Sequence, residues 1–366
     1  MPPFRRLVQR LAADPNSNPF SRVVARRERR YHVVTMSGTQ SEAGRAHVTV
    51  CLVTRNRGES ITATLDSLAR LDHPDFDVVV VDQSTDTLTR QAFERASGSD
   101  PRFSYHLTGT VGTSVALNIA VAMASGSIIA KTDDDCEVPP DWLTGIEQHF
   151  ADHPGAAMIC GGVSAGEHDR SAGSIPAFIP PRVELFTSPW HKYRARGIGA
   201  NIAFRTAVLR KVGCFDEVLG SGGPLKSCED GDMAYRILRY GFGVLNAPEP
   251  SVVHNGFRTW SQGRTLGRDA LMSCGATCMK HLRLWDMAII PTLIFLWFRR
   301  TINWRNLIRL RRPSGIALFL EFGRGMCLSF RYLVDRGSKT YVPPAHASVP
   351  TQSLPITPVN PPPSLS

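Results

Sequence analysis

The sequence predicts an α/β protein, a parallel sheet with helices on both faces. Three observations carry this. Between residues 47 and 132, short runs of β-branched and apolar residues alternate with helical stripes of about a dozen residues. Three polar clusters, Thr54-Arg55-Asn56, Asp82 and Asp133-Asp134-Asp135, fall where three of the apolar runs end. Sheets of this kind bind ligands beyond the carboxyl ends of their strands. The third observation is the aspartate triplet itself: adjacent carboxylates repel and call for a cation, and hard oxygen ligands suit Mg2+ or Mn2+. Taken alone, the triplet would also suit a solvated acidic turn.

The elements follow in order. Residues 1–46 carry arginine clusters (Arg26-Arg27, Arg29-Arg30) and little apolar periodicity, so they read as a basic, disordered arm. Val48 to Thr54 is a buried strand. Gly58 to Leu71 is a helix with its stripe at Ile61, Leu65, Leu68 and Leu71. Asp77 to Val81 forms a strand ending at Asp82, residues 87–97 a helix, and Phe103 to Leu107 a third strand. Gly112 to Ala124 is helical, and strand 127–132 delivers the aspartates. A helix over 140–152 and a strand over 157–163 come next. Residues 164–196 are long and irregular, with Pro176, Pro180, Pro181 and Pro189; internal loops of this length are usually functional. Gly199 to Phe204 returns to a strand. Glu229 to Tyr240 is a helix stopped by Gly241, Val252 to His254 a last strand, and 260–282 a helix.

Beyond these, Met287 to Phe298 is apolar but short of the ~20 residues that span a bilayer, and Pro291 interrupts it. Residues 316–334 are long enough but carry Glu321, Arg324 and Arg331. They read as an amphipathic helix lying on a membrane or on the domain. The expected organisation is therefore the arm 1–46, a catalytic domain 47–282, a basic and amphipathic helical region 283–339, and a disordered Pro-rich tail 340–366.

Hydrophobic and charged contents of 42% and 20% place the 366-residue chain among ordinary globular proteins. The net charge of +10 is unevenly spread: residues 47–279 are net acidic and both flanks net basic. That argues against nucleic acid, whose reader would place its basic patch on the folded core. It favours a cation-using domain held by basic flanks on an anionic membrane surface, hence a cytoplasmic protein peripheral to the inner face of the cell membrane. The eight cysteines show no paired Cys-x-x-Cys frame, and no apolar stretch follows the N-terminal basic residues as in a signal peptide.

A second chemical signal is Glu229-Asp230-Gly231-Asp232. Met233, Ile237 and Tyr240 form the buried stripe of its helix, and the acids sit at the N-terminus, where the dipole favours them. Charge complementarity alone would explain acids there, but not the Gly-rich approach at 220–223.

Over residues 47–258 the chain resembles the family 2 glycosyltransferases of glycosyltransferase-A fold. The resemblance rests on the order of several pieces. These are Asn56-Arg57 after the first strand, Asp82, Gly112 with Asn118, the Asp-x-Asp motif Asp133–Asp135 with Trp142 after it, Gly199-Ala200-Asn201, Gly213-Cys214-Phe215-Asp216-Glu217, and Glu229-Asp230 with Arg236 and Gly241. It implies a Rossmann-like, mixed but mostly parallel sheet. It also implies inverting, metal-dependent transfer of sugar from a nucleotide-diphosphate donor to a glycan, lipid-linked or small-molecule acceptor in cell-envelope glycan synthesis. By this resemblance Thr54, Arg55 and Asn56 line the nucleotide pocket, Asp82 contacts the base, and Asn118 lies on the donor side. Asp133 is shared between ribose and metal (Mg2+ or Mn2+), and Asp134 holds the turn of the donor site. Asp135 binds the metal, His254 completes the metal site or contacts the diphosphate, and Asp230 is the general base with Glu229 beside it.

Departures exist. Leu117 precedes Asn118 where many relatives have arginine, and Lys131 stands where they have an apolar residue. The Gln-x-x-Arg-Trp motif of processive synthases is missing, so a single-sugar transfer is expected. Two other readings compete. A sugar nucleotidyltransferase would want a Gly-rich phosphate loop that Thr54-Arg55-Asn56-Arg57-Gly58 serves poorly. A non-catalytic glycan-binding protein on the same fold would not need Asp135 and Asp230 intact.

Overall fold

The computed structural model describes residues 45–299 and 314–342. The basic arm through residue 44 and the tail from 343 lie outside them. Alternating strands and helices build one eight-stranded sheet: β1 (Val48–Thr54), α1 (Thr62–Ala69), β2 (Phe76–Asp82), α2 (Leu88–Ser97), β3 (Phe103–Leu107), α3 (Thr113–Met123) and β4 (Ile128–Asp133). After β5 (Cys136–Glu137) and α4 (Trp142–Asp152) come β6 (Ala156–Cys160), β7 (Val163–Ala165), β8 (Gly173–Ser174) and β9 (Glu184–Phe186). Then follow β10 (Ile202–Arg205), α5 (Thr206–Val212), α6 (Glu229–Arg239), β11 (Gly243–Asn246), β12 (Val252–His254), β13 (Arg258–Thr259) and α7 (Trp260–Arg283). The strand order is β3-β2-β1-β4-β10-β6-β11-β9.

Strands β3, β2, β1 and β4 run parallel, whereas β10 lies antiparallel to both β4 and β6 and β9 antiparallel to β11, so the sheet is mixed. Register brings the strand ends level: Thr54 pairs with Asp82 and Val53 with Asp133. The period of two divides the core. Val50 and Leu52 of β1 pack with Leu65 and Leu68 of α1 and with Trp142 of α4. Cys51 faces the other layer with Leu117 of α3 and Met233 and Ile237 of α6. Truncating any of these buried leucines to alanine should cost about 2–5 kcal/mol.

Several elements differ in detail from expectation. The first helix opens with a 3-10 turn, Gly58–Ile61. The expected strand 157–163 is two strands, because the chain turns at Gly161-Gly162 and β7 joins a second, small sheet of order β5-β12-β7. In that sheet His254 pairs with Cys136, which sets the histidine beside the aspartate triplet.

Beyond α7 come a short helix α8 (Ile290–Ile294), a longer one, α9 (Ser314–Leu328), and the hairpin strands β14 (Leu333–Val334) and β15 (Tyr341–Val342). Helix α9 packs on α7 at two glycines: a Cβ at Gly275 would overlap the Phe322 carbonyl, and one at Gly325 the Met272 carbonyl. One face of the expected amphipathic helix is thus spent on the domain, while Ile316 and Leu320 stay 52% and 63% exposed. The expected tail boundary at 340 falls inside the hairpin. Tyr341 is buried, its hydroxyl donates to the Ala276 carbonyl, and its backbone N–H donates to Asp216. Among the described residues no helix is long and apolar enough to cross a membrane.

Candidate active site

The level ends of β2, β1 and β4 place the expected residues along one edge of the sheet, where they divide into neighbouring groups. On one side stands Asp135. His254 Nε2 lies 3.1 Å from its Oδ1, and the Arg57 guanidinium 3.1 Å from its Oδ2, with Arg258 at 3.7 Å. Arg57 also reaches Asp134 at 2.9 Å. Burial works against ionisation of Asp135, but His254, Arg57 and Arg258 outweigh it and hold the carboxyl below the usual carboxylate range. At Asp134 burial prevails over Arg57 and raises the pKa. Burial alone would lower His254; the hydrogen bonds to Asp135 and to the Pro176 carbonyl, with the charges of Asp135 and Asp133, raise it instead.

The residues present fit a divalent cation. Ligand atoms of Asp135, Cys136 and His254 lie within 4.8 Å of one another. Burial pushes the Cys136 thiol up, so its sulfur stays protonated and the carboxylate and imidazole are the usable pair. His254 Nδ1 lies 3.0 Å from the Pro176 carbonyl, to which it donates, and this aims Nε2 at Asp135. A Cβ at Gly256 would stand 2.5 Å from Asp135 Oδ2 and 2.7 Å from His254 Nε2, so only glycine leaves that space open. A cleft of about 210 Å³ beside Asp135 is lined by Arg57, Ser60, Thr64, Asn255, Phe257 and Arg258.

Asp133 faces the other side. Its carboxylate is 3.8 Å from the Lys131 ammonium, which in turn lies 3.2 Å from Asp230. Burial raises the Asp133 pKa against the pull of Lys131, and Asp230 and Asp135 add to the rise. Glu229, next to Asp230, is pushed up to about 7 by burial first and by the Asp230 charge second. The first turn of α6 thus sets Glu229 and Asp230 side by side, with Asp230 paired to Lys131.

The remaining expected residues shape the rim. Both oxygens of buried Asp82 are engaged: Ser84 donates its backbone N–H to Oδ1 at 2.7 Å, and the Tyr105 hydroxyl donates to Oδ2 at 2.5 Å. Asn56, at φ +52°, accepts from the Thr85 N–H and donates its own N–H to Ser84, joining the ends of β1 and β2. Thr54 is buried beneath them and Arg55 is exposed. Asn118 is committed elsewhere: its amide donates to the Phe215 carbonyl and to Glu217, and accepts the Phe215 N–H.

Behind α6 lies a buried charge network. Asp232 accepts from Arg236 at 2.9 Å and from Lys280 and His281 at 2.8 Å, and Lys280 also reaches Asp216 at 2.7 Å. It ties the helix that carries Glu229 and Asp230 to α7. Sequence reasoning named Arg236 only as part of a pattern and passed over Lys280 and His281, which no local motif marks.

Comparison with known proteins agrees with this architecture. Residues 49–212 match the family described as Glycosyl transferase family 2. Over 191 residues the chain is 24% identical to a glucosyl-dolichyl phosphate glucuronosyltransferase of Haloferax volcanii. That match covers 48% of this chain and 57% of the relative, so the chain spans little more than half the relative's length. The fold is similar to that of the mannosyltransferase PcManGT from Pyrobaculum calidifontis, solved with GDP-Man and Mn2+ (TM-score 0.53, 18% identity, 84% of this chain and 94% of that one). It is also similar to S. aureus TarS 1-349 in complex with UDP-GlcNAc (TM-score 0.54, 19% identity, 76% and 81%). At such identities the likeness speaks for the fold, a glycosyltransferase-A arrangement.

Proposed function

We propose that this chain, whose residues 49–212 match the family described as Glycosyl transferase family 2, is a member of it and moves a single sugar from a nucleotide-diphosphate donor to an acceptor hydroxyl with inversion. The observation that carries the reading is the division of carboxylates at one sheet edge. Asp135 with His254 lies on one side, and Asp230 lies on the other, paired to Lys131. Inverting transfer needs a cation site and a proton acceptor that are separate groups.

In this reading Asp135 and His254 would hold Mn2+ or Mg2+, while Asp133, on the Lys131 side and outside that ligand group, is turned to the ribose. A cation held there would supply positive charge to the departing diphosphate. Arg57 and Arg258 line the adjoining cleft and offer fixed positive charge to the phosphates. The nucleoside lies over Thr54, Arg55 and Asn56; Asp82, fully buried with both oxygens taken by Ser84 and Tyr105, braces this edge from beneath rather than meeting the base, and Asp134 keeps the turn through Arg57. Asp230 takes the proton of the acceptor hydroxyl as that oxygen attacks the anomeric carbon. Asn118 acts through the loop 215–217 that it holds. The solved relatives carrying GDP-Man with Mn2+ and UDP-GlcNAc support a nucleotide-sugar donor. The acceptor is a glycan, a lipid-linked glycan or a small molecule.

The reading places the protein on the inner face of the membrane, as a peripheral component of envelope glycan synthesis. Supporting this, Ile294 and Phe298 before α9 and Ile316 and Leu320 on it remain exposed, and Phe298 packs edge-on against Phe319. The sequence between the two apolar stretches carries Arg299, Arg300, Arg305, Arg309, Arg311 and Arg312.

The test is nucleotide release from a panel of nucleotide sugars with Mn2+. Release is expected with at least one donor, abolished by chelator, and lowered about 100-fold or more in Asp230→Asn. No release with any donor, or unchanged release in Asp230→Asn, contradicts the reading.

A further inference from the structure

Lys131 sits inside a core strand, between Ala130 and Thr132, and is 2% exposed. An apolar residue would serve simple packing there, and an ammonium in such a place is costly unless it is paired and hydrogen-bonded. The charge is compensated: Nζ donates to the Gly199 carbonyl at 2.8 Å and to Asp230 at 3.2 Å, and the Asp133 carboxylate faces it at 3.8 Å, an ion-pair distance beyond a hydrogen bond. The backbone makes room for this contact. A Cβ at Gly199 would stand 2.6 Å from Lys131 Nζ and would overlap Asp230 Oδ2. β10, which follows Gly199, runs antiparallel to β4, with Ile202 opposite Lys131, so the carbonyl that pins the ammonium comes from the chain leading into the neighbouring strand.

We propose that Lys131 is the positioning residue of the transfer step. Anchored by the Gly199 carbonyl, its ammonium holds the Asp230 carboxylate in one orientation and stands between that carboxylate and Asp133. Without it, two carboxylates would share this edge with no fixed cation between them and would repel. Lys131 is too deeply buried to meet an acceptor, so it acts through Asp230. The inference rests on Asp230 being the proton acceptor.

The experiment is a double-mutant cycle between Lys131→Met and Asp230→Asn, read as kcat and donor KM with Mn2+ and the donor found by nucleotide release. Lys131→Met is expected to lower kcat about 100-fold and to leave donor KM within about 3-fold, a loss confined to the transition state. In the Asp230→Asn background the same change is expected to cost less than about 3-fold, the signature of coupled residues. Methylammonium added to Lys131→Ala should restore part of kcat. Wild-type kcat in Lys131→Met, or an equal loss in both backgrounds, overturns the proposal. Should the methionine variant unfold, Gly199→Ala applies the same question from the backbone: wild-type kcat there overturns it as well. If Asp230→Asn is as active as wild type, the base assignment itself falls. If Asp230→Asn is inactive and Lys131→Met is not impaired, only the present inference falls.

Discussion

Arg57 bonds Asp135 at 3.1 Å and, from the same terminal nitrogen, Asp134 at 2.9 Å. A residue at the start of the first helical segment thereby neutralises the two aspartates at the end of the fourth strand. The pair explains how three consecutive carboxylates coexist on a folded edge: Lys131 meets the first, and Arg57 the second and third.

Removing that cation should therefore act on both folding and binding. Arg57→Met leaves Asp134, 6% exposed, without its counterion. A loss of about 1–3 kcal/mol is expected, less than for a fully buried pair because Arg57 is partly solvated. Calorimetry checks the stability, and titration with nucleoside diphosphate should show affinity about 10-fold weaker. An unchanged Tm together with unchanged affinity would argue that the arginine is a bystander.

The charge network behind α6 should be visible in acid. Asp232 is buried against Lys280, Arg236 and His281. Burial opposes its ionisation, but Lys280 and Arg236 lead the charges and hydrogen bonds that hold its pKa far below the usual range. A depressed carboxylate contributes stability above its unfolded pKa of ~3.9 and loses it as pH falls toward the folded value. Asp232→Asn should cost about 3–5 kcal/mol at pH 7, with the gap to wild type closing in strong acid. A constant gap down to the acid limit would speak against the pairing.

Glu229 should show the opposite sign. Its pKa rises from 4.5 to about 7, through burial and the charge of Asp230. Stability from a raised acid is full below the unfolded pKa and is lost as pH rises through the folded one. Glu229→Gln should thus melt above wild type at pH 8, and the difference should shrink as pH falls and vanish below about pH 4, under the unfolded pKa. Thermal scans across that range decide it.

Much of this site was readable from the chain because its residues end local, strongly periodic elements. Asp82 and Asp133 each close a run of β-branched residues, and parallel strands of similar length end level, so two positions far apart in sequence meet at one edge. Lys131 stands out in the sequence as a charge inside an apolar run, but its purpose does not. Its partners Gly199 and Asp230 lie on later segments, and only the antiparallel insertion of β10 between β4 and β6 brings them to it. That reversal follows the irregular stretch 164–196, whose sequence has no periodicity to reveal direction. The packing of α9 was likewise hidden: Gly275 and Gly325 mark the contact, but glycines inside two helices do not announce that they face each other.

The exposed apolar residues of the C-terminal helices supply a separate test. Full-length protein should sediment with vesicles containing phosphatidylglycerol more than with phosphatidylcholine alone, and salt should weaken the binding. Phe298→Asp with Leu320→Asp should reduce the bound fraction severalfold without lowering nucleotide release in solution. Equal sedimentation of the double variant would assign these residues to another partner.

The most direct measurement is the configuration of the first sugar released. With an α-linked nucleotide sugar, Mn2+ and water as the slow acceptor, proton NMR distinguishes the anomers before they equilibrate. In-line attack with Asp230 as proton acceptor predicts the β anomer from wild type, and no signal from Asp230→Asn on the same timescale. The α anomer, or β sugar formed equally well by Asp230→Asn, would contradict the account.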